Sequence, residues 1–253
     1  MTVLTQQLFY GELGALGLAY ARVAPVFYLV PFLNDRIISN TVLKNTTIFI
    51  VIAGIWQAIG HPPPESGAAL IWIAVRELTV GLVLGVALSS PFWIANAIGE
   101  LIDNQRGATI SASMDPATGV EASVLAPFLS LFCTAVFLEQ GGMISIMEAI
   151  YESYTYLPAG TTPHADVWQF GSLLTQLMGK GVALAAPVLL TMFLSDVILG
   201  LFSRFCPHVN AFSMSLSVKS VMGFVVFYLY FPEAGPHAMK ALFYLHRFPD
   251  LVH

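Results

Sequence analysis

The chemistry open to this sequence rests on a few ionisable residues that stand inside long apolar stretches. Asp196 lies within the run LLTMFLSDVILG. An acid in an apolar run is costly and needs a partner, so it marks either a proton-relay or ion site, or else a buried ion pair or subunit contact. Arg22, Arg76 and Lys219 stand in other apolar runs and are available as counterions. We therefore predict that Asp196 has a structural role.

A second charged pattern is the neighbouring pair Arg76 and Glu77. Consecutive side chains on a helix point about 100° apart, so these two cannot face one partner together. We expect them to pair with different helices. Shortly after them, Gly81 and Gly85 form a GxxxG pattern, which permits close helix packing either within the chain or between subunits.

The sequence gives almost no evidence of an enzyme active site. Cys206 and His208 flank a proline, but no further Cys or His follows at metal-ligand spacing, so a metal site is not expected. The sequence contains no HExxH, GxSxG, P-loop or GxGxxG motif. We predict a protein that is not an enzyme and that binds no cofactor.

The composition indicates what kind of elements must carry these residues. Only 10% of the 253 residues are charged, 57% are hydrophobic, and the mean hydropathy is +0.75. A soluble chain carries roughly 25% charged residues. The deficit excludes a disordered chain and a basic nucleic-acid binder, and it leaves too little polar surface for an ordinary soluble enzyme. The sequence therefore predicts an all-α membrane protein of a single domain.

The apolar stretches predict about six long hydrophobic, kinked helical segments. Some are too long for a hydrocarbon core of roughly 30 Å, and their charges lie inside the runs rather than at the ends. Prolines inside the segments are expected to kink or break them, Pro91 in particular. Residues 152–180 are predicted to form a longer loop. The six segments are residues 13–34, 45–64, 68–99, 122–150, 181–203 and 205–231.

The connection at residues 100–123 differs from the others. It reads ELIDNQRGATISASMDPATGVEAS, and after Arg106 it consists mostly of small residues. Ile110 and Met114 are the only bulky side chains before Val120, and Asp115-Pro116 followed by Gly119 predicts a turn. Composition alone allows a flexible surface loop. The alternative is a loop that folds back into a cavity or pore.

Four stretches of this sequence resemble a known family. They are residues 21–34 (ARVAPVFYLVPFLN), 76–85 (RELTVGLVLG), 91–119 (PFWIANAIGELIDNQRGATISASMDPATG) and 195–220 (SDVILGLFSRFCPHVNAFSMSLSVKS). By these motifs, in this order and spacing, the chain resembles the T subunit of the type III secretion export apparatus, the SctT family. It is close to the SpaR-like members, and FliR is the flagellar counterpart. The pattern residues in the last stretch are Arg204, Pro207, Asn210, Phe212 and Lys219.

The resemblance implies an architecture of packed helical hairpins in a spiral pore assembly, with residues 1–253 as one export-gate domain. Residues 1–150 would form a P-like part that includes a plug loop at 104–123, and residues 181–232 a Q-like helical hairpin. The plug and gating residues implied are Gln105, Arg106, Gly107, Ile110, Met114, Asp115, Pro116 and Gly119. Arg204 and Lys219 belong to the family pattern, and the other structural charges that the sequence predicts are Arg22, Arg76, Glu77 and Asp196.

The resemblance also implies partners and a location. The partners would be P-like and Q-like export-gate subunits, a U-like switch subunit, exported polypeptides in transit and membrane lipid, with no nucleic acid. The assembled complex would be a hetero-oligomer in the bacterial inner membrane, within the base of the secretion system. Its function would be to help form and close a channel for unfolded secreted proteins.

Two other functions remain open on the sequence. One is a secondary transporter for a small solute, with Asp196 as the coupling acid. A transporter of that kind is expected to show broken helices placed symmetrically in two halves, and the prolines here show no clear symmetry. The other is a passive membrane scaffold.

Overall fold

The structure, a computed structural model, describes residues 2–33, 40–59, 67–107, 123–159, 167–205 and 211–243. Within these ranges the chain is helical and contains no strand, as the sequence predicted. The helices are α1 (Thr2–Leu29), α2 (Thr41–Gly54), α3 (Trp56–Ile59), α4 (Gly67–Gln105), α5 (Leu125–Glu139), α6 (Gly142–Tyr156), α7 (Val167–Phe205) and α8 (Ala211–Phe243). A short 3-10 turn, Pro31–Leu33, follows α1.

Three of the described helices are long and apolar enough to cross a membrane: Ala69–Gln105, Gly171–Phe205 and Met214–Phe243. The number rises to four if α5 and α6 are counted as one broken span. Each of the six predicted segments contains helix. The second segment, however, gives only the short apolar helix α2 and the four-residue α3, so the six helical segments do not give six candidate spans in the described residues.

The structure corrects two predicted boundaries. The fourth segment is two helices rather than one, because Gly141 takes a left-handed backbone conformation with φ +76°, which no α-helix continues through. The predicted loop at 152–180 is too long, since α6 runs to Tyr156 and α7 begins at Val167. The start of α7 buries Leu173 and Leu177, which lie four residues apart on one face.

The sequence predicted a kink or a break at Pro91, and the structure shows that α4 is not broken there. Proline has no N–H to donate to the carbonyl four residues earlier, which here belongs to Ala87. The Ser90 hydroxyl donates to that carbonyl instead, at 2.7 Å. A polar side chain thus satisfies the backbone group that proline leaves open, and the helix continues.

The chain divides into two compact units. The first comprises residues 1–90, 140–171 and 246–253. In its described part, α1 is buried along Leu18, Val23 and Phe27 and packs with α2. Asn40 begins α2 as its N-cap, because its side-chain oxygen accepts hydrogen bonds from the backbone N–H groups of Val42 and Leu43.

Gly81 and Gly85 allow α4 to pack closely against α1 in the first unit. A β-carbon on Gly81 would collide with the backbone of Arg22, and one on Gly85 would lie 2.8 Å from Leu29 Cδ1. The GxxxG pattern therefore serves packing within the chain, one of the two alternatives that the sequence left open.

The second unit comprises residues 91–139 and 172–245. Its described core combines the second half of α4, α5, α7 and α8. Phenylalanine rings join α5 to α8, with Phe132 and Phe231 centred 4.9 Å apart. Small residues again allow close approach: Gly99 faces the backbone of Ala126, and Gly181 faces Ile94.

Candidate functional site

Asp103 lies in the last turn of α4, just before the connection to α5, and holds both ends of that connection. One carboxylate oxygen accepts hydrogen bonds from the Ser123 hydroxyl at 2.7 Å and from the backbone N–H groups of Val124 and Leu125 at 2.9 and 2.8 Å. The other oxygen accepts from Arg106 Nε at 2.7 Å. The side chain is almost fully buried. We call this set of contacts the neck.

The neck follows from ordinary helix chemistry. The first N–H groups of α5 have no partner within their own helix, and the positive end of the helix dipole favours an anion there. The side chains of Val124 and Ala126, on either side of Leu125, are apolar and cannot accept a hydrogen bond from these N–H groups. Asp103 supplies the acceptor from 22 residues earlier in the chain, so one carboxylate caps a helix to which it does not belong.

The α4 side of the neck is shaped by Arg106 and Gly107. The Arg106 guanidinium lies 5.4 Å from the centre of the Phe224 ring, as well as bonding Asp103. Gly107 has φ +82°, a conformation that favours glycine, and a β-carbon there would lie 2.5 Å from Leu216 Cδ2. Backbone conformation and space both select glycine at this position.

The predicted plug residues divide between the neck and the part of the connection that follows it. Gln105 ends α4 and is exposed, whereas Arg106 and Gly107 belong to the neck. Outside the described residues lie Ile110, Met114, Asp115, Pro116 and Gly119.

Asp103 is the functional candidate that sequence reasoning missed. The available signal was an acid three residues before Arg106 at the end of an apolar helix, inside the Ile-Asp-Asn-Gln-Arg-Gly block that carries the family resemblance. That spacing predicts the contact with Arg106 on one helix face. It does not predict the capping of α5, which depends on how the two helix ends meet.

Asp196 pairs with Lys219. The Lys219 Nζ lies 3.1 Å from one Asp196 carboxylate oxygen and joins α7 to α8. The lysine side chain is 11% exposed and the aspartate side chain 41%. Gly223, one turn after Lys219, faces Met192, one turn before Asp196, so the same antiparallel register extends along the hairpin.

Arg22 and Glu77 form the most deeply buried charge pair among the described residues. Arg22 Nε lies 2.6 Å from Glu77 Oε2, and Nη2 lies 3.1 Å from Oε1, which is a two-bond, side-on contact. Both residues are 1% exposed. Arg22 Nη1 also donates to the carbonyls of Ser153 and Leu157 at 3.0 and 2.9 Å, and its guanidinium lies over the Tyr154 ring.

The remaining predicted residues are placed as follows. Arg76 is half-buried, with its guanidinium 5.4 Å from the centre of the Trp72 ring on the same helix, whereas Glu77 pairs with Arg22 of α1. Arg204 is exposed near the end of α7, and Phe212 lies in α8. Pro207 and Asn210 fall outside the described residues.

In the part of the chain that the structure describes, no group of three or more His, Cys, Asp or Glu side chains could hold a metal ion.

Comparison with known proteins connects this chain to protein export. Residues 13–244 match the family described as Bacterial export proteins, family 1. The surface presentation of antigens protein SpaR of Salmonella typhimurium (strain LT2) is 40% identical over 220 residues, which cover 87% of this chain and 83% of the relative.

Two more distant relatives have the same extent. Yop proteins translocation protein T of Yersinia pestis is 26% identical over 229 residues, 87% of each chain. Flagellar biosynthetic protein FliR of Escherichia coli (strain K12) is 23% identical over 232 residues, 88% of each chain.

Proposed function

The chain belongs to family 1 of the bacterial export proteins and is a subunit of a secretion apparatus, and on that premise we propose that it helps to form and close the channel of a type III secretion export gate. Its role is structural rather than enzymatic. The T subunit works by surrounding unfolded proteins in transit and by carrying the loop that blocks their path in the resting state.

The observation that supports this proposal best is the neck. The two ends of the connection at 104–123 are held together by the buried carboxylate of Asp103. A plug needs a fixed base, so that only the part beyond the base has to enter or leave the channel. The small side chains between Gly107 and Ser123 suit a narrow space, while Ile110 and Met114 supply the seal.

The proposed surroundings follow from the same premise. The long apolar helices require a membrane, which for an export apparatus of this kind is the bacterial inner membrane. The partners that we propose are P-like, Q-like and U-like subunits in a hetero-oligomer within the base of the secretion system. In that assembly residues 1–150 act as the P-like part and residues 181–232 as the Q-like hairpin of a spiral of packed hairpins.

The contact between Asp196 and Lys219 weighs against the alternative of a small-solute transporter. A coupling acid must gain and lose a proton during each cycle. The Asp196 carboxylate already serves as the counterion of a mostly buried ammonium group 3.1 Å away and thereby joins α7 to α8. The pair therefore favours a structural role for Asp196 over proton coupling.

Deletion of residues 110–118 tests the plug. The neck residues are all retained, so we expect the complex to assemble. We also expect ions or small solutes to leak across the membrane, because the seal is gone. A closed state only about 5.5 kcal/mol more stable than the open one gives roughly 10⁴ closed gates to one open gate, so even a partial loss of the seal is measurable. The measurement is membrane conductance in cells that make the full gate.

Substitutions of the two bulky residues give a graded version of this test. Replacing Ile110 and Met114 together by alanine should produce a milder leak than the deletion. The matched control is Ile110→Val with Met114→Leu, which keeps the apolar bulk and should leak no more than the parent. A deletion variant that assembles normally and conducts no more than the parent would show that the loop is only a connection.

A further inference from the structure

The Asp196 carboxylate has an open acceptor on an apolar surface. Lys219 donates to one of its oxygens, Oδ2, and no described residue donates to the other, Oδ1. The aspartate side chain is 41% exposed, so the open oxygen is accessible from outside the hairpin. A carboxylate oxygen has room for two hydrogen bonds, and leaving it without any in an apolar medium is costly.

The surroundings of this oxygen are apolar. On α7, Phe193 lies one turn before Asp196 and Val197 lies beside it, and they are exposed at 63% and 40%. They belong to the candidate span Gly171–Phe205. Hydrocarbon chains can cover these side chains but cannot donate a hydrogen bond to Asp196. A lipid-facing surface therefore leaves the carboxylate unsatisfied, whereas a protein surface with a donor at this level does not.

The charge already present decides which donor fits. Lys219 neutralises Asp196, so a second cation would leave one net positive charge in a medium of low dielectric constant. A neutral donor, such as a hydroxyl or an amide, satisfies the oxygen without adding charge. Gly200, one turn further along the same face, is exposed, and a β-carbon there would meet nothing within 4 Å. Another helix can approach closely at that point.

We propose that the face of α7 around Asp196 and Gly200 receives an apolar membrane helix of another gate subunit, and that this helix donates a neutral hydrogen bond to the open oxygen of Asp196. The inference rests on the proposed function, since it requires partner subunits in the membrane. It assigns one carboxylate two tasks: one oxygen fixes the α7–α8 hairpin, and the other fixes the partner.

Two double variants isolate the second task. Asp196→Asn with Lys219→Leu removes both charges but keeps a side-chain carbonyl at position 196. Asp196→Leu with Lys219→Leu removes both charges and the acceptor. Neither leaves an unpaired charge in the hairpin, so both are expected to fold. Each is coexpressed with its partner subunits, and partner recovery is measured by co-purification through a tag on this chain in mild detergent.

We expect the variant with Asn to retain its partners and the variant with Leu to recover about tenfold less, which is the effect of leaving one membrane hydrogen-bond donor unsatisfied. Equal recovery with the two double variants, whether high or low, overturns the inference. It would mean that water, lipid or another segment of this chain covers the carboxylate instead.

A second pair of variants tests the approach at Gly200 without touching the charges. Gly200→Leu should reduce partner recovery, because it fills the space into which the helix packs. Gly179→Leu is the control, since Gly179 is also exposed on α7 and has open space, but lies about 31 Å away along the helix. Equal effects of these two substitutions would also contradict the inference. If the parent chain recovers no partner at all, the proposed function fails and not this inference alone.

Discussion

At the scale of single residues, the described charges inside apolar helices act through a few specific contacts. Arg22 uses its guanidinium to bond Glu77 and two backbone carbonyls near the end of α6. These three contacts join α1, α4 and α6. A buried guanidinium is tolerated because its counterion and these carbonyls accept most of its N–H groups, and it becomes expensive when one partner is removed.

We predict that Glu77→Gln destabilises the first unit by about 3–5 kcal/mol, because it leaves the buried guanidinium of Arg22 without its counterion. The measurement is the thermal unfolding of the purified complex in detergent. Arg76→Gln is the matched control, since Arg76 is the adjacent residue but only half-buried, and it should cost less than about 1 kcal/mol. Similar losses for the two variants would contradict the prediction.

Asp103→Ala should loosen the neck. The substitution removes the acceptor for the Ser123 hydroxyl and for the first N–H groups of α5, at a cost of about 2–3 kcal/mol. Hydrogen exchange at the amides of Val124 and Leu125 should therefore be at least about tenfold faster than in the parent complex, as measured by mass spectrometry.

The control for this prediction is Ser123→Ala, which removes one of the hydrogen bonds to Asp103 but leaves both amide contacts in place. It should change the exchange of those amides much less. Unchanged exchange in Asp103→Ala would mean that the carboxylate does not hold the start of α5 in the assembled gate.

At the scale of elements, the contact between α1 and α4 depends on the absence of side chains. Gly81 lies against the backbone at Arg22, and Gly85 lies against Leu29 and Pro25. The buried charge pair and this close contact lie one turn apart on α4. The glycines therefore determine how near Glu77 comes to Arg22, in addition to letting the helices pack.

We predict that Gly81→Ala destabilises the first unit by about 1–3 kcal/mol, since the new methyl group forces α4 away from α1. Gly17→Ala should have the opposite sign. A β-carbon on Gly17 meets nothing within 4 Å, and alanine favours a helix over glycine by up to about 1 kcal/mol. Thermal unfolding of the two variants measures both effects. A stabilising Gly81→Ala would show that the helices are not in close contact.

At the scale of the whole molecule, the chain exposes more apolar surface than a solitary protein keeps. In α8, only 11% of the most apolar stretch of 18 residues is buried. Exposed large side chains continue along this helix, including Val225, Tyr228 and Leu229. Such surface has to be covered by lipid or by other subunits.

We predict that the chain expressed alone is not a stable monomer, and that coexpression with P-like and Q-like partners gives a defined complex. Size measured in mild detergent distinguishes the two conditions. Lipid can cover the apolar side chains, but the half-exposed carboxylate of Asp196 needs protein beside it. A homogeneous monomer that persists without partners would contradict the prediction.

The sequence by itself determined the class of the protein. Long runs with few charges require helices that satisfy their own backbone groups, and this constraint acts locally, so it can be read without knowing the fold. The stretches at 76–85, 91–119 and 195–220 also carried enough specific spacing to identify the family. The sequence further provided Lys219 as one of three possible counterions for Asp196.

Only the tertiary structure decided which groups meet. Glu77 pairs with Arg22, 55 residues away, and not with the adjacent Arg76, because helix packing rather than sequence distance brings the side chains together. For the same reason Asp103 caps α5, although nothing local marks it as a cap. Helix formation depends on neighbours within one or two turns, whereas pairing between helices depends on the rotation and depth of each helix in the packed unit.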